Sequence, residues 1–226
     1  MKTRSKTSYS TLYQAFLEID EGDHREKIRF VEKNASSIAN LEVIEYFEIM
    51  YIYHNALFEI GKHDTQLEIG DRILVMCIMH LITKCLGEDP YLETIFKKAA
   101  ALYNVGEYPE AQHVIQELLK LHPDHEPSKV FLINCLVKER KQEVIPFRSV
   151  SIVAILSSAV VIAIELLFIR PHAPAYTEYV EILRNALFVI GVLSLISGEV
   201  WIRYKAVNQA MDQVKEYRNK REEKAG

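Results

Sequence analysis

VSIVAILSSAVVIAIELLFI, residues 150–169, and ALFVIGVLSLISGEVWI, residues 186–202, decide how this chain is read. One charged residue interrupts each run, Glu165 in the first and Glu199 in the second. A helix that crosses a bilayer needs about 20 mostly apolar residues at roughly 1.5 Å rise each. The first run has that length. The second reaches it once Leu183 and Arg184 lie at the headgroup boundary, where Arg184 and Arg203 can snorkel and Trp201 and Tyr204 suit the interface. The competing reading, two buried helices of a large soluble domain, leaves little of a 226-residue chain to wrap around them. The expectation is a membrane-spanning helical hairpin. A third apolar stretch, Ile73 to Leu86, contains His80 and Lys84 and is too short to span, so it reads as a buried core helix.

The charges orient the hairpin. Lys138, Arg140, Lys141 and Arg148 precede the first run; Arg203, Lys205, Lys215, Arg218, Lys220, Arg221 and Lys224 follow the second. Between Pro171 and Leu183 there is no Lys or Arg. The positive-inside rule then puts both termini in the cytoplasm, and the polar segment Met1 to Ser10 offers no apolar signal core. The expected location is a bacterial inner membrane.

The net charge of −4 conceals a split. Residues 1–147 carry 17 Lys/Arg against 23 Asp/Glu, while 204–226 carry six against four. An acidic soluble part argues against nucleic acid as a partner, and the basic tail suits anionic headgroups or simply marks topology. Three unclustered cysteines, Cys77, Cys85 and Cys135, fit reduced thiols serving as small core residues.

Residues 8–142 show helical periodicity with glycine- and proline-bearing breaks and no strand alternation. The chain therefore reads as all-α: a cytosolic helical domain (1–142), a linker (143–148), a first span (149–170), a short extracytoplasmic loop (171–182), a second span (183–204) and a basic cytosolic tail helix (205–226). Ala56 to Gly61 aligns with Ala101 to Gly106, and the match continues with Ile69 against Val114, Ile73 against Leu118 and Leu74 against Leu119. The offset of 45 residues suggests helix-turn-helix units that share a core.

Gly106-Glu107-Tyr108-Pro109-Glu110-Ala111, followed by Leu118-Leu119-Lys120-Leu121-His122-Pro123, resembles the second half of a tetratricopeptide repeat. Ala111 stands where the two helices cross, Pro123 closes the unit, and Ala99 and Leu102 fit the family's packing positions. Ser128 to Lys138 resembles the first helix of a following unit. Over 43–86 the pattern is looser, with Gln66 in place of the small crossing residue. The resemblance implies an α-solenoid of helical pairs whose concave face carries a candidate partner groove of Tyr51, Asn55, Phe58, Phe96, Tyr103, Asn104, Asn134 and Lys138. Aromatics and amides suit a peptide, and they equally suit packing between helices. The family's carboxylate-gripping version needs several bases; only Lys138 is available, so a free C-terminus is not expected.

No cofactor, metal or catalytic site is expected, and the chain does not read as an enzyme. His122 and His125 flank a proline without a second ligand pair; His54, His80 and His113 fall on separate helices; Arg72 and His80 match no nuclease spacing. In the hairpin, Ala154 and Ser158 of the first span and Gly191, Ser194 and Gly198 of the second form small-residue stripes that allow close helix approach. Folding about the loop's centre sets Ser158 against Ser194, Ala154 against Gly198, and Glu165 near Arg184 as an intramembrane polar pair. Glu199 has Arg203 one turn away. Beyond Tyr204 the helix should continue, with Val207, Met211, Val214 and Tyr217 as its apolar stripe.

The function these features point to is a membrane-anchored scaffold whose helical domain binds a protein or peptide at the bilayer face. The alternative is a channel-like effector in which several copies assemble and their hairpins perturb the bilayer.

Overall fold

The computed structural model describes residues 10–169 and 176–225, and among them every regular element is helical. The chain divides into two compact units, Met1–Asp124 and His125–Gly226.

The first unit runs α1 (Thr11–Leu17), α2 (His24–Lys33), α3 (Ala35–Ile38), α4 (Val43–Glu59), α5 (His63–Met79), α6 (Pro90–Val105) and α7 (Tyr108–Leu121). Local chemistry sets the ends. Ser10 and Asp23 accept hydrogen bonds from the first-turn amides of α1 and α2, and Asp89 accepts from both Tyr91 and Leu92 ahead of Pro90. Gly61 and Gly106 close α4 and α6 at φ of 77° and 94°, a backbone that only glycine adopts without strain. The turns after them are short, so each helix folds back on its predecessor: α4 packs on α5, α5 on α6 and α6 on α7, with α2 against α4. Phe16, Phe47, Ile49, Tyr51, Leu57 and Ile73 are fully buried at the centre of that stack.

The two halves of the 45-residue match use one backbone plan with different crossing chemistry. Ala99 and Ala111 are both buried where α6 meets α7. Their counterparts at the same offset are His54 and Gln66, also fully buried, and Gln66 Nε2 lies 2.5 Å from His54 Nε2. A polar pair has replaced two methyl groups, and Gly70 makes room for it: a Cβ there would lie 3.2 Å from His54 Nε2.

Helix α5 departs from expectation. It ends at Met79 rather than continuing to Leu86, and its buried side is Gln66, Ile69, Gly70, Ile73 and Cys77, while Val75, Ile78 and Met79 face outward. The cause is a left-handed C-terminal turn: Leu81 takes φ of 52° and the Ile82 amide bonds back to the Cys77 carbonyl.

The second unit is built on two long helical arms. The first arm comprises α8 (Glu126–Glu139), a 3-10 turn (Arg140–Val144), α9 (Ile145–Ile164) and a π-helical turn (Glu165–Ile169). The second is α10 (Thr177–Ala225), 49 residues without interruption. Three expectations change here. The helix Ser128 to Lys138 belongs to this unit and packs on α10, so the unit boundary lies at 124/125 instead of 142. The segment 143–148 is helical and not a linker. Helix α10 starts at Thr177, six residues before the expected 183, which shortens the loop; residues 170–175 lie outside the described set.

Candidate functional site

In the apolar part of the second unit, small and polar residues lie inside and most large apolar residues outside. In the apolar part of the first arm the inward positions include Ser151, Ala154, Ser158 and Glu165; in the second, Gly191 and Gly198 are buried and Ser194 half-buried. The first-arm positions recur at steps of three, four and seven residues, the heptad spacing of a close-packed left-handed helix pair. Facing outward are Ile152, Val153, Leu156, Val160, Phe188, Val189, Leu193 and Ile196, each more than half exposed. Both helices are long and apolar enough to cross a membrane.

Across the seam, Arg184 Nη1 donates to Glu165 Oε2 at 2.9 Å, with Glu165 fully buried. Ser158 Oγ donates to the Arg184 carbonyl at 3.2 Å, and Ser194 Oγ to the Phe147 carbonyl at 3.1 Å. Gly191 faces Ser151, Ala154 and Ile155, and Gly198 faces Phe147. Ser158 is therefore not opposite Ser194, nor Ala154 opposite Gly198. The register is shifted by about two turns, because the earlier start of α10 moves the point about which the arms fold; two turns return the same face of a helix, so the same stripes meet different partners. Glu199 also differs from expectation: its partner is Arg148 on the other arm, at 2.7 Å, rather than Arg203.

Beyond the apolar part the arms stay together. Lys205 bonds Glu143 at 3.1 Å and Arg140 bonds Gln209 at 2.6 Å. Ala206, Ala210 and Val214 form the buried face of the tail, while Val207 and Met211 of the expected stripe are exposed.

The first unit holds a pocket of about 370 Å³. Two expected groove residues line it: Tyr51, whose hydroxyl donates to Glu88 Oε2 at 3.3 Å, and Asn55. Burial, with the charges of Glu88 and Glu93 adding to it against a hydrogen bond from Asn55, pushes the Tyr51 phenol well above its ordinary value. Asn55 is a hub. Its Oδ1 accepts from Lys97 Nζ at 3.1 Å and lies 3.3 Å from His54 Nδ1. Burial, together with nearby Lys97, lowers the His54 pKa to about 4 despite the Asn55 hydrogen bond. The neutral ring so defined donates from Nδ1 and accepts from Gln66 at Nε2.

The remaining groove residues disperse. Phe58 sits under Lys97 Nζ, 5.9 Å from the ring centroid, and against the His63 ring. Tyr103 stacks edge-on with Tyr108; Phe96 is half-buried and Asn104 exposed on α6. Asn134 and Lys138 lie on α8 in the second unit, so the eight residues do not belong to one compact body.

The pocket is completed by side chains that sequence reasoning passed over: Phe16, His24, Lys27, Leu86 and Glu88. A signal existed for Lys27. It lies one turn before Val31 and beside Ile28, on the apolar face of α2, where a lysine must point inward. Leu86 and Glu88 owe their positions to a tight turn in which Cys85 and Glu88 exchange both backbone hydrogen bonds at 3.0 Å, with Leu86 and Gly87 at φ of 53° and 90°. Two positive φ values mark a type I′ turn, which costs a leucine strain that glycine does not pay.

Elsewhere, His125 Nδ1 lies 2.6 Å from Ser128 Oγ at the start of α8, and Arg72 is exposed and paired with Glu68. No group of three potential metal ligands occurs among the described residues. All three cysteines are buried, and burial raises their thiols to about 11 for Cys77 and about 12 for Cys85 and Cys135. Comparison with protein families, with characterised proteins and with solved structures returns no match.

Proposed function

We propose that this chain is a membrane-anchored, non-enzymatic scaffold: the second unit crosses a bilayer as a hairpin with both termini in the cytoplasm, and the first unit binds a protein or peptide there. The observation that carries the anchor is the inverted packing of the hairpin. Its seam is lined mainly by glycine, alanine and serine with the buried Glu165–Arg184 ion pair, and its outer surface is branched and aromatic hydrocarbon. Water would penalise that surface heavily, whereas lipid suits it and small residues favour helix association there. A bacterial inner membrane with positive flanks inside accommodates this arrangement.

The first unit is proposed to be a tetratricopeptide-like stack. Support comes from the 45-residue offset, at which left-handed glycines recur at Gly61 and Gly106 and buried crossing pairs recur at His54/Gln66 and Ala99/Ala111. Fold of this kind does not fix a ligand; the Tyr51 and Asn55 pocket is what favours a peptide partner. The channel-like alternative needs Glu165 and Glu199 to line a path between copies. Each is instead engaged by an arginine of its own hairpin, which favours the anchor.

The test uses the full chain in cells with a photocrosslinking residue at Ile52 in the pocket, and at exposed Arg72 as control. The scaffold predicts retention in carbonate-washed membranes, unchanged membrane potential on overexpression, and one stoichiometric adduct from position 52 alone. Carbonate extraction, depolarisation, or the absence of a site-specific adduct would reject it.

A further inference from the structure

We infer that one flank of the hairpin, where its apolar part ends toward the termini, binds a single anionic diacyl phospholipid whose phosphate is held by Arg203 and Lys141 beside Arg148. This rests on the membrane-anchor reading and names the lipid that the anchor selects. The first observation is a set of unmatched cations. Arg203 and Lys141 are exposed, and neither has an ion pair or side-chain hydrogen bond among the described residues. Both stand on the same side of the seam. Lys141 precedes Arg148 by seven residues and Arg203 follows Glu199 by four, so each shares a helix face with its neighbour. Arg148 Nη2 donates to Glu199 Oε1 at 2.7 Å, which sets those two faces side by side. Three cations therefore share one carboxylate, spread over about 10 Å of helix with Arg203 between the other two in height.

The opposite flank provides the contrast. Glu143 lies five residues before Arg148, about 140° around the arm. It accepts from Lys205 Nζ at 3.1 Å and from Arg140 Nη1 at 3.0 Å. Arg140 also reaches Gln209, and Lys205 lies 5.4 Å from the centroid of the Trp201 ring. There the protein engages its own cations; on the first flank it leaves two for an anion from outside. The second observation is what lies one heptad deeper on that flank. Ile155 follows Arg148 by seven residues, Val192 precedes Glu199 by seven and Ile196 precedes Arg203 by seven, and all three are exposed. Charge thus gives way to hydrocarbon along a single face. A soluble phosphate would meet the cations and leave the apolar part unused. A zwitterionic lipid would bring its own cation to a flank that already has two without partners. An anionic phospholipid satisfies both halves, with its phosphate among the bases and an acyl chain along the isoleucines and valine.

The experiment reconstitutes the full chain in nanodiscs of equal parts dioleoyl phosphatidylglycerol and dioleoyl phosphatidylcholine, releases it into mild detergent and weighs it by native mass spectrometry. One phosphatidylglycerol should stay bound per chain, retained over phosphatidylcholine by about tenfold, the worth of roughly one charge-assisted hydrogen bond. Lys141→Gln combined with Arg203→Gln should bring that ratio near unity; both side chains are exposed, so the substitutions remove no core contact. Lys215→Gln combined with Lys220→Gln removes the same charge further along α10 and should leave the ratio unchanged. Glycerol 3-phosphate at millimolar concentration should displace none of the lipid. Equal retention of the two lipids, equal effects of the two double variants, or displacement by glycerol 3-phosphate would overturn the proposal. If the chain stays in carbonate-washed membranes and shows no lipid preference, the anchor stands and this site falls; if carbonate extracts it, the anchor reading falls first.

Discussion

Gly198 is the position where the hairpin tolerates least. A Cβ built there meets Phe147 Cβ at 2.8 Å and Cγ at 3.0 Å, against an ordinary contact of 3.4 Å or more. The shortfall is about 0.6 Å. Because the obstructing Cβ is fixed to the backbone of α9, rotating the phenyl ring does not relieve it, and the arms must separate. Gly191 offers a contrast. Its nearest neighbour is Ile155 Cγ1, also at 2.8 Å, but that atom can swing toward the outer face, leaving contacts of 3.3 and 3.4 Å. Overpacking typically costs about 1–3 kcal/mol, and replacing a helical glycine by alanine returns up to about 1 kcal/mol. Gly198→Ala should therefore destabilise the hairpin by about 1–2 kcal/mol, and Gly191→Ala by about 0–1 kcal/mol. Titration with SDS in bicelles, followed by energy transfer between labels on the two arms, measures both. Phe147→Ala combined with Gly198→Ala should be more stable than the sum of the singles by at least about 1 kcal/mol. Equal stability of Gly198→Ala and the parent, or coupling below about 0.5 kcal/mol, refutes the close approach at this crossing.

Three further outcomes follow from other sites. Arg184→Ala removes the 2.9 Å charge-assisted hydrogen bond to buried Glu165 and should cost about 1.5–3 kcal/mol in the same titration, with the double variant of Arg184→Ala and Glu165→Gln well short of the sum. Leu81→Gly should stabilise the first unit by about 0.5–1 kcal/mol in thermal melts, since it relieves a left-handed leucine that is 83% exposed and sacrifices little packing. His54 is neutral when folded, with a pKa near 4 against 6.5 when unfolded. Between those values the unfolded chain binds more protons, so stability is complete above about pH 6.5 and falls as pH drops toward 4, by about 3 kcal/mol in total. His54→Gln should flatten that slope in urea titrations across the window; an unchanged slope would assign the acid sensitivity elsewhere.

Much of the architecture could be read from residue order. The two apolar runs announce long helices, and Gly61, Gly106 and Asp89-Pro90 mark turns because their backbone chemistry permits little else. The Glu165–Arg184 neighbourhood follows from any antiparallel folding of the arms. Register did not follow, since it depends on where α10 begins, and Thr177 to Ile182 carries no start signal distinct from a loop. The end of α5 was hidden for a related reason: Leu81 occupies a position that glycine usually advertises. The pocket was hardest to read, because Lys27, Tyr51 and Glu88 come from three separated segments, and only packing brings them to one cavity.

The continuity of the second unit's arms has a mechanical consequence. Each is more than 40 residues long, or more than about 60 Å, roughly twice the hydrocarbon thickness of a bilayer. In a helix each residue adds about 100° of rotation. Deleting one residue between Glu139 and Phe147 would turn everything beyond it on the first arm by that angle and carry Glu165 away from Arg184. The polar halves of the arms thus act as the index of a gear train: insertions and deletions outside the lipid are readable inside it, and a change of about seven residues, two full turns, returns the same stripe to the seam but against different partners.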